Sequence, residues 1–194
     1  MEKNGKFILL SLDEFAPWLN NLHVARKISI LQVHHTYLPD YKTWAHSPDH
    51  FKVLHGMEDF QVHDRGFAEI AQNITTFPDG KIAICRDFNT IPAGIKGCNS
   101  NGLCIENLGN FDEGGDTMTP EHRAAILGLY SHLCTKFNLV PSTDTIVYHH
   151  WYDLSTGKRT NGTGVTKTCP GTAWFGGNSV EAAAAFIAAI KEIV

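Results

Sequence analysis

Two strand ends and one loop carry the side chains of this chain that could do chemistry together. Val33-His34-His35-Thr36 closes the apolar run Ile28-Ser29-Ile30-Leu31-Gln32-Val33, and Tyr148-His149-His150-Trp151 closes Thr145-Ile146-Val147. Downstream stands Lys167-Thr168-Cys169-Pro170-Gly171. Two imidazoles and a thiolate can hold Zn²⁺ and leave its fourth tetrahedral position open, the mark of a catalytic rather than a structural ion. Lys167, two residues before the cysteine, would put a cation beside that opening. Ligands this far apart cannot form a local zinc knuckle. They meet only if the two strands are neighbours and the Cys169 loop folds over their ends. Neighbouring residues on a strand point to opposite faces, so one histidine of each pair is the expected contributor.

The elements that must position these groups follow from pattern. Residues 28–34 and 145–149 read as buried strands, and residues 70–77 and 81–86 flank Pro78-Asp79-Gly80, a hairpin turn signal. Residues 102–108 form another strand. Residues 120–137 form the clearest helix: Thr119 can cap it, Pro120 suits its first position, and Ile126, Leu129, Tyr130, Leu133 and Phe137 recur at helical spacing. A short leading helix is expected over 13–26, broken near Pro17. Ser179 can cap a last helix in which Phe186, Ile187, Ile190 and Val194 share a face. Residues 38–58, around His46, His50 and His55, read as irregular, and 155–168 as a Gly/Thr/Lys-rich loop. Strands mixed with packing helices predict an α/β fold, a single domain over 1–194 with a mixed central β-sheet flanked by helices.

Composition narrows the function. A chain of 194 residues, 43% hydrophobic, can bury one sizeable core. A net charge of −4 argues against nucleic acid and against an anionic membrane surface as partners. No apolar run approaches the ~20 residues of a membrane span. Phe7-Ile8-Leu9-Leu10 is too short for a signal peptide, so synthesis in the cytoplasm is expected, with holin-type release if the protein acts outside. Five cysteines at irregular spacing make a poor disulfide framework; Cys85, Cys104 and Cys134 read as buried hydrophobes, and Cys98 falls in a polar loop.

Several segments, taken in order, resemble one family. Val33-His34-His35-Thr36 is similar to the "VHHT" strand of the zinc N-acetylmuramoyl-L-alanine amidases, which include phage lysozyme amidases and the peptidoglycan recognition proteins. Gly66-Phe67-Ala68-Glu69-Ile70-Ala71-Gln72-Asn73 resembles "GWxDIGYH", and Phe77-Pro78-Asp79-Gly80-Lys81-Ile82 resembles "xRDGxI". Asn101-Gly102-Leu103-Cys104-Ile105-Glu106 resembles "NxxSIGIE", and Leu108-Gly109-Asn110-Phe111 resembles "GNF". His149 and Lys167-Thr168-Cys169-Pro170-Gly171 match "GHRD" and "KxCPG", so the resemblance runs over roughly residues 28–175.

The resemblance implies a recognition-protein/amidase-like fold and one Zn²⁺ per chain on His34, His149 and Cys169. His35 and His150 then point away. It implies hydrolysis of the amide between N-acetylmuramic acid and L-alanine, with peptidoglycan or a muropeptide as partner and an endolysin or autolysin as the role. Lys167 matches the family's catalytic lysine, which would stabilise the oxyanion. Many members carry the proton on a tyrosine at the position of Gln72, which cannot titrate. The anhydromuramyl-peptide amidases use the glutamate of "SIGIE" instead, which points to Glu106. Gly94 stands where the family has a substrate-binding histidine, and Phe67 replaces its tryptophan. Gln72, Tyr37, Trp44 and Trp151 are the expected substrate contacts. Two rivals are a non-catalytic peptidoglycan-binding module of the same fold, and a different zinc hydrolase acting on peptides or acyl-amino acids.

Overall fold

The structure is a computed structural model that describes residues 1–193. Val194, assigned above to the last helix face, lies outside them.

Seven strands form one sheet: β1 (Glu2–Asn4), β2 (Phe7–Leu10), β3 (Ile30–His35), β4 (Ile74–Thr76), β5 (Ile82–Ile84), β6 (Gly102–Asn107) and β7 (Ile146–Tyr148), in the order β1-β2-β5-β4-β6-β3-β7. The β1-β2-β5-β4 half is antiparallel, and β4, β6, β3 and β7 run parallel. The sheet is therefore mixed, as expected. The two strands that carry the histidine pairs are direct neighbours, with Leu31 opposite Ile146 and Val33 opposite Tyr148. The hairpin around Pro78-Asp79-Gly80 is also present, although its strands are shorter than 70–77 and 81–86. Gly80 makes the turn at φ +82, where a side chain would be strained.

Alternation along the strands sorts the core into two layers. Leu31 and Val33 of β3 and Leu103 and Ile105 of β6 join one cluster, together with residues of α1 (Leu12–Asn21), α4 (Pro120–Phe137) and α5 (Ala183–Lys191). Phe7, Leu9, Ala83 and Cys85 face the other way, against Trp44 of α2 (Tyr41–His46) and Leu54 of α3 (His50–Asp59). Gln32, His34, Cys104 and Glu106 occupy the alternate positions of β3 and β6, away from the α1/α4/α5 layer. That leaves a polar stripe on the α3 side of the sheet.

The helix over 120–137 has the expected bounds. The Thr119 hydroxyl accepts from the His122 amide at 3.1 Å, an N-cap worth about 1 kcal/mol. Asn138 closes it in the left-handed conformation. Three expectations need correction. The leading helix spans Leu12–Asn21 and runs through Pro17, stabilised by a Ser11/Glu14 capping box, and stops short of 26. Residues 38–58 are helical for the most part, because Asp40 and Asp49 each cap a short helix by accepting from Thr43 and Lys52 amides. Ser179 caps a turn, accepting from Ala182 at 3.1 Å, and α5 starts only at Ala183. The five cysteines are free and buried, Cys98 included. No helix among the described residues is long and apolar enough to cross a membrane.

Candidate metal centre and its cleft

His34 is the fifth residue of β3, near the strand's carboxyl end. β7 ends one residue before His149, which begins a single 3-10 turn, His149–Trp151. The turn swings the His149 ring back over the end of β3, so its Nδ1 lies 3.2 Å from Nδ1 of His34. Cys169 returns from the long loop after Tyr152 and places Sγ 3.7 Å from the same Nδ1. The His35 amide donates to that sulfur at 3.4 Å. The three donor atoms lie within 4.8 Å of one another and all three residues are buried. A tetrahedral zinc ion with ordinary Zn–N and Zn–S lengths has edges of about 3.3 Å between two nitrogens and about 3.6 Å between nitrogen and sulfur. The observed separations match those edges, and the donor set fits such an ion.

Electrostatics agree with the geometry. Burial, reinforced by the neighbouring His149 and Lys167, holds His34 well below the usual histidine range. Burial and Lys167 bring His149 down to about 4. Both rings are therefore neutral at physiological pH, the form in which imidazole is a ligand. Burial and Glu106 push the Cys169 thiol up, while the His35 amide and Lys167 pull it down. A cation among these three donors would favour the thiolate.

Beside the three donors lies Glu106, directly opposite His34 in the β3–β6 register. Its Oε1 is 3.9 Å from His34 Nδ1, and its buried Oε2 has no hydrogen-bond partner among the described residues. Burial raises its pKa to about 8, against the pull of Lys167. The carboxyl is thus poised close to neutrality, at the floor of a cleft of about 590 Å³ that His34, His149, Cys169 and Lys167 also line. Lys167 is exposed, and its charge acts on the donors and on Glu106.

Of the expected substrate contacts, Tyr37 lines the cleft and is 53% exposed. The other three do not line it. Trp44 packs between His50 and Phe77 in the second core layer. Trp151 is fully buried, stacked on Tyr148, with its ring N–H donating to Asn178 O at 2.7 Å. Gln72 is buried one layer behind the wall: its carbonyl accepts from Gln61 and its amide donates to Thr75. Gln61 is the residue that reaches the cleft, with Met57, Phe60 and Arg65 from α3 and the π-helical turn after it. Sequence reasoning missed this wall; the capping aspartates Asp40 and Asp49 were the available signal.

His35 turns its ring away from the donors: Nδ1 accepts from the Phe111 amide at 3.2 Å and the ring packs against Phe111, although the residue also borders the cleft. His150 also leaves the donors, but through the 3-10 turn rather than by strand alternation. Its ring Nδ1 meets Lys167 O at 2.6 Å and its amide donates to Cys169 O at 2.7 Å, so it ties down the loop end that bears both residues. Behind the centre a buried relay holds the end of β3. Tyr41 Oη donates to His122 Nδ1, His122 Nε2 to Thr76 Oγ1, Thr76 Oγ1 to Asn107 Oδ1, and Asn107 Nδ2 to His34 O, each at 2.7 or 2.8 Å.

Comparison with known proteins bears on the whole arrangement. No curated protein shows significant sequence similarity to the chain. Among solved structures, Drosophila PGRP-LB is similar at 22% identity and a TM-score of 0.59, covering 78% of this chain and 79% of its own. A variant of Drosophila PGRP-LB in complex with tracheal cytotoxin gives 22% and 0.58, over 79% and 81%. The N-acetylmuramoyl-L-alanine amidase LysC from Clostridium intestinale gives 20% and 0.52, over 77% and 80%. These likenesses establish the fold. The sequence profile of the N-acetylmuramoyl-L-alanine amidases matches residues 24–172, which include the three candidate metal donors, Glu106 and Lys167, and the chain therefore belongs to the N-acetylmuramoyl-L-alanine amidase family.

Proposed function

We propose that this chain is a zinc-dependent amidase that hydrolyses the bond between the lactyl group of N-acetylmuramic acid and L-alanine in peptidoglycan, acting in cell-wall lysis as an endolysin or autolysin. The observation that carries the reading is the meeting of His34, His149 and Cys169 beside a carboxylate with an unpartnered oxygen. Family membership supports the bond cut, and the tracheal cytotoxin bound by a PGRP-LB variant supports a muropeptide as the kind of ligand this fold accepts.

His34, His149 and Cys169 would hold the zinc. Bound zinc supplies the Lewis acidity that makes water nucleophilic near neutral pH. The chain supplies the rest. Glu106 accepts the proton of the attacking water and passes it to the departing alanine nitrogen. Its raised pKa suits both halves of that task, since a carrier works best when its pKa is near the operating pH. Lys167, which lines the cleft, would balance the charge that the substrate carbonyl oxygen gains. Tyr37, Phe60 and Phe67 give the cleft apolar surface on which a sugar or peptide can rest.

The reading is tested by metal. Wild type should carry one zinc per chain, and Cys169→Ala should lose it together with activity. Chelation should abolish activity, and added zinc should restore it. Equal zinc in wild type and Cys169→Ala would remove Cys169 from the ligand set. A zinc-loaded protein without any hydrolytic activity would favour the binding-module reading.

A further inference from the structure

Gln32 is fully buried on β3, two residues before His34 and on the same face of the strand. All its polar atoms are engaged. Its amide nitrogen donates to Cys98 O at 3.0 Å and to Asn99 Oδ1 at 3.1 Å. Its carbonyl oxygen accepts from the Ile95 amide at 3.2 Å and lies 3.3 Å from His34 Nε2. This environment fixes which way the Gln32 amide points. Turned over, its oxygen would face two acceptors and its NH₂ would face the Ile95 N–H. The oxygen beside His34 can only accept, so His34 must donate from Nε2. A neutral imidazole with its proton on Nε2 has its lone pair on Nδ1. Nδ1 is the atom that faces His149 and Cys169.

We infer that Gln32 is the positioning residue that locks His34 in the Nε2–H tautomer and aims its Nδ1 at the metal position. This rests on the proposed metal centre and adds the residue that prepares it. A partner on the far ring nitrogen of a metal-binding histidine sets both tautomer and ring orientation.

Gly94 is part of the same device. A Cβ at this position would lie 2.1 Å from Gln32 Oε1 and 2.8 Å from Cys104 Sγ. Only a glycine lets the 94–99 loop press its backbone against Gln32 and bring the Ile95 amide, Cys98 O and Asn99 to it. Asn99 Oδ1 also accepts from the Gly94 and Ile95 amides at 3.1 and 2.9 Å, which holds the loop in that shape. The Gly94 departure from the family pattern and the buried Gln32 therefore form one arrangement, with the glycine making room for the glutamine.

The test uses the full chain. Long-range ¹⁵N–¹H correlation on the metal-free protein at neutral pH reads which ring nitrogen of His34 bears the proton. The inference expects Nε2. Gln32→Met keeps the volume but removes the acceptor, and should weaken zinc binding about 10- to 100-fold in chelator competition, the usual effect of losing such a partner. Gly94→Ala, which displaces Gln32, should weaken zinc in the same direction. A wild-type His34 protonated on Nδ1, or a folded Gln32→Met that binds zinc as tightly as wild type, overturns the inference. If Gln32→Met does not fold, the wild-type tautomer still decides. A protein that binds zinc and shows the Gln32 effect but cuts no peptidoglycan refutes the proposed activity and leaves this inference standing.

Discussion

Nδ1 of His34 lies 3.9 Å from Oε1 of Glu106 because the two residues stand opposite each other on parallel neighbouring strands. A candidate metal donor and a carboxyl group with one oxygen unpartnered among the described residues are thus held by backbone register rather than by flexible loops. On this account the strand pair sets the distance between the ion and the proton carrier.

The first expectation follows directly. Glu106→Gln keeps the shape of the side chain and removes its ability to carry a proton. It should retain zinc and fold and lose roughly 10²–10⁴-fold in kcat, the scale of a general acid–base residue. Turnover of a muramyl-peptide with zinc content checked in parallel measures it. Turnover near the wild-type rate would make Glu106 structural.

On the proposed reading Lys167 contributes charge without holding the ion. Lys167→Ala should keep zinc and lose on the order of 10²–10³-fold in kcat, the scale of one oxyanion donor. An equal loss of zinc would instead make Lys167 part of the metal site. Gln72→Ala should be mild by comparison, since Gln72 lies behind the wall and contacts Gln61 and Thr75.

His150→Ala should leave zinc in place, because its ring contacts Lys167 O and not the donors. Losing a hydrogen bond worth about 1 kcal/mol should loosen the loop end that bears Lys167. Hydrogen exchange over residues 160–169 should quicken and kcat should fall modestly. Unchanged exchange would show that the loop is held elsewhere, for example by Asp153, which accepts from Ser155, Thr156 and Val165.

Stability should fall in acid through buried histidines. Burial lowers His122 to about 3, against a weaker opposing pull from Asp79. The unfolded chain takes up a proton on this residue below its ordinary pKa of about 6.5, and the folded chain does not. No stability is lost above that pH. Between it and the folded pKa, the loss approaches about 1.4 kcal/mol per pH unit. Urea unfolding at a series of pH values should show a shallower acid slope for His122→Gln than for wild type. Parallel slopes would mean that His122 is protonated in the fold.

Much of the site was legible because it sits on strands whose pattern is unambiguous. The buried runs around His34, Glu106 and Tyr148 predicted strands, and the Pro78-Asp79-Gly80 turn predicted the hairpin, while the pairing of the strands entered only as the condition for the histidines to meet. What was missed had weaker periodicity. Asn4-Gly5 before Phe7-Ile8-Leu9-Leu10 is a tight-turn signal, and the β1–β2 hairpin it joins went unread. α2 and α3 bury only Trp44 and Leu54, too few apolar positions for a helical period, so only their capping aspartates could have signalled these helices and the cleft wall formed by α3 and the turn after it. Trp44 and Trp151 show the opposite limit: an aromatic residue type does not say whether it faces a cleft or the core. His149 reached the candidate donor cluster through a 3-10 turn that alternation along a strand does not describe.

The central claim is the bond cut, and the composition of the cleft makes it decidable. Among the described residues the cleft is lined by one carboxylate, Glu106, whereas glycoside hydrolysis ordinarily needs a pair. Digestion of purified peptidoglycan, followed by labelling of new amino termini and assay of new reducing ends, measures the chemistry directly. The account predicts new L-alanine amino termini without new reducing sugars. Reducing ends without alanine amines, or no cleavage by zinc-loaded protein, would contradict it.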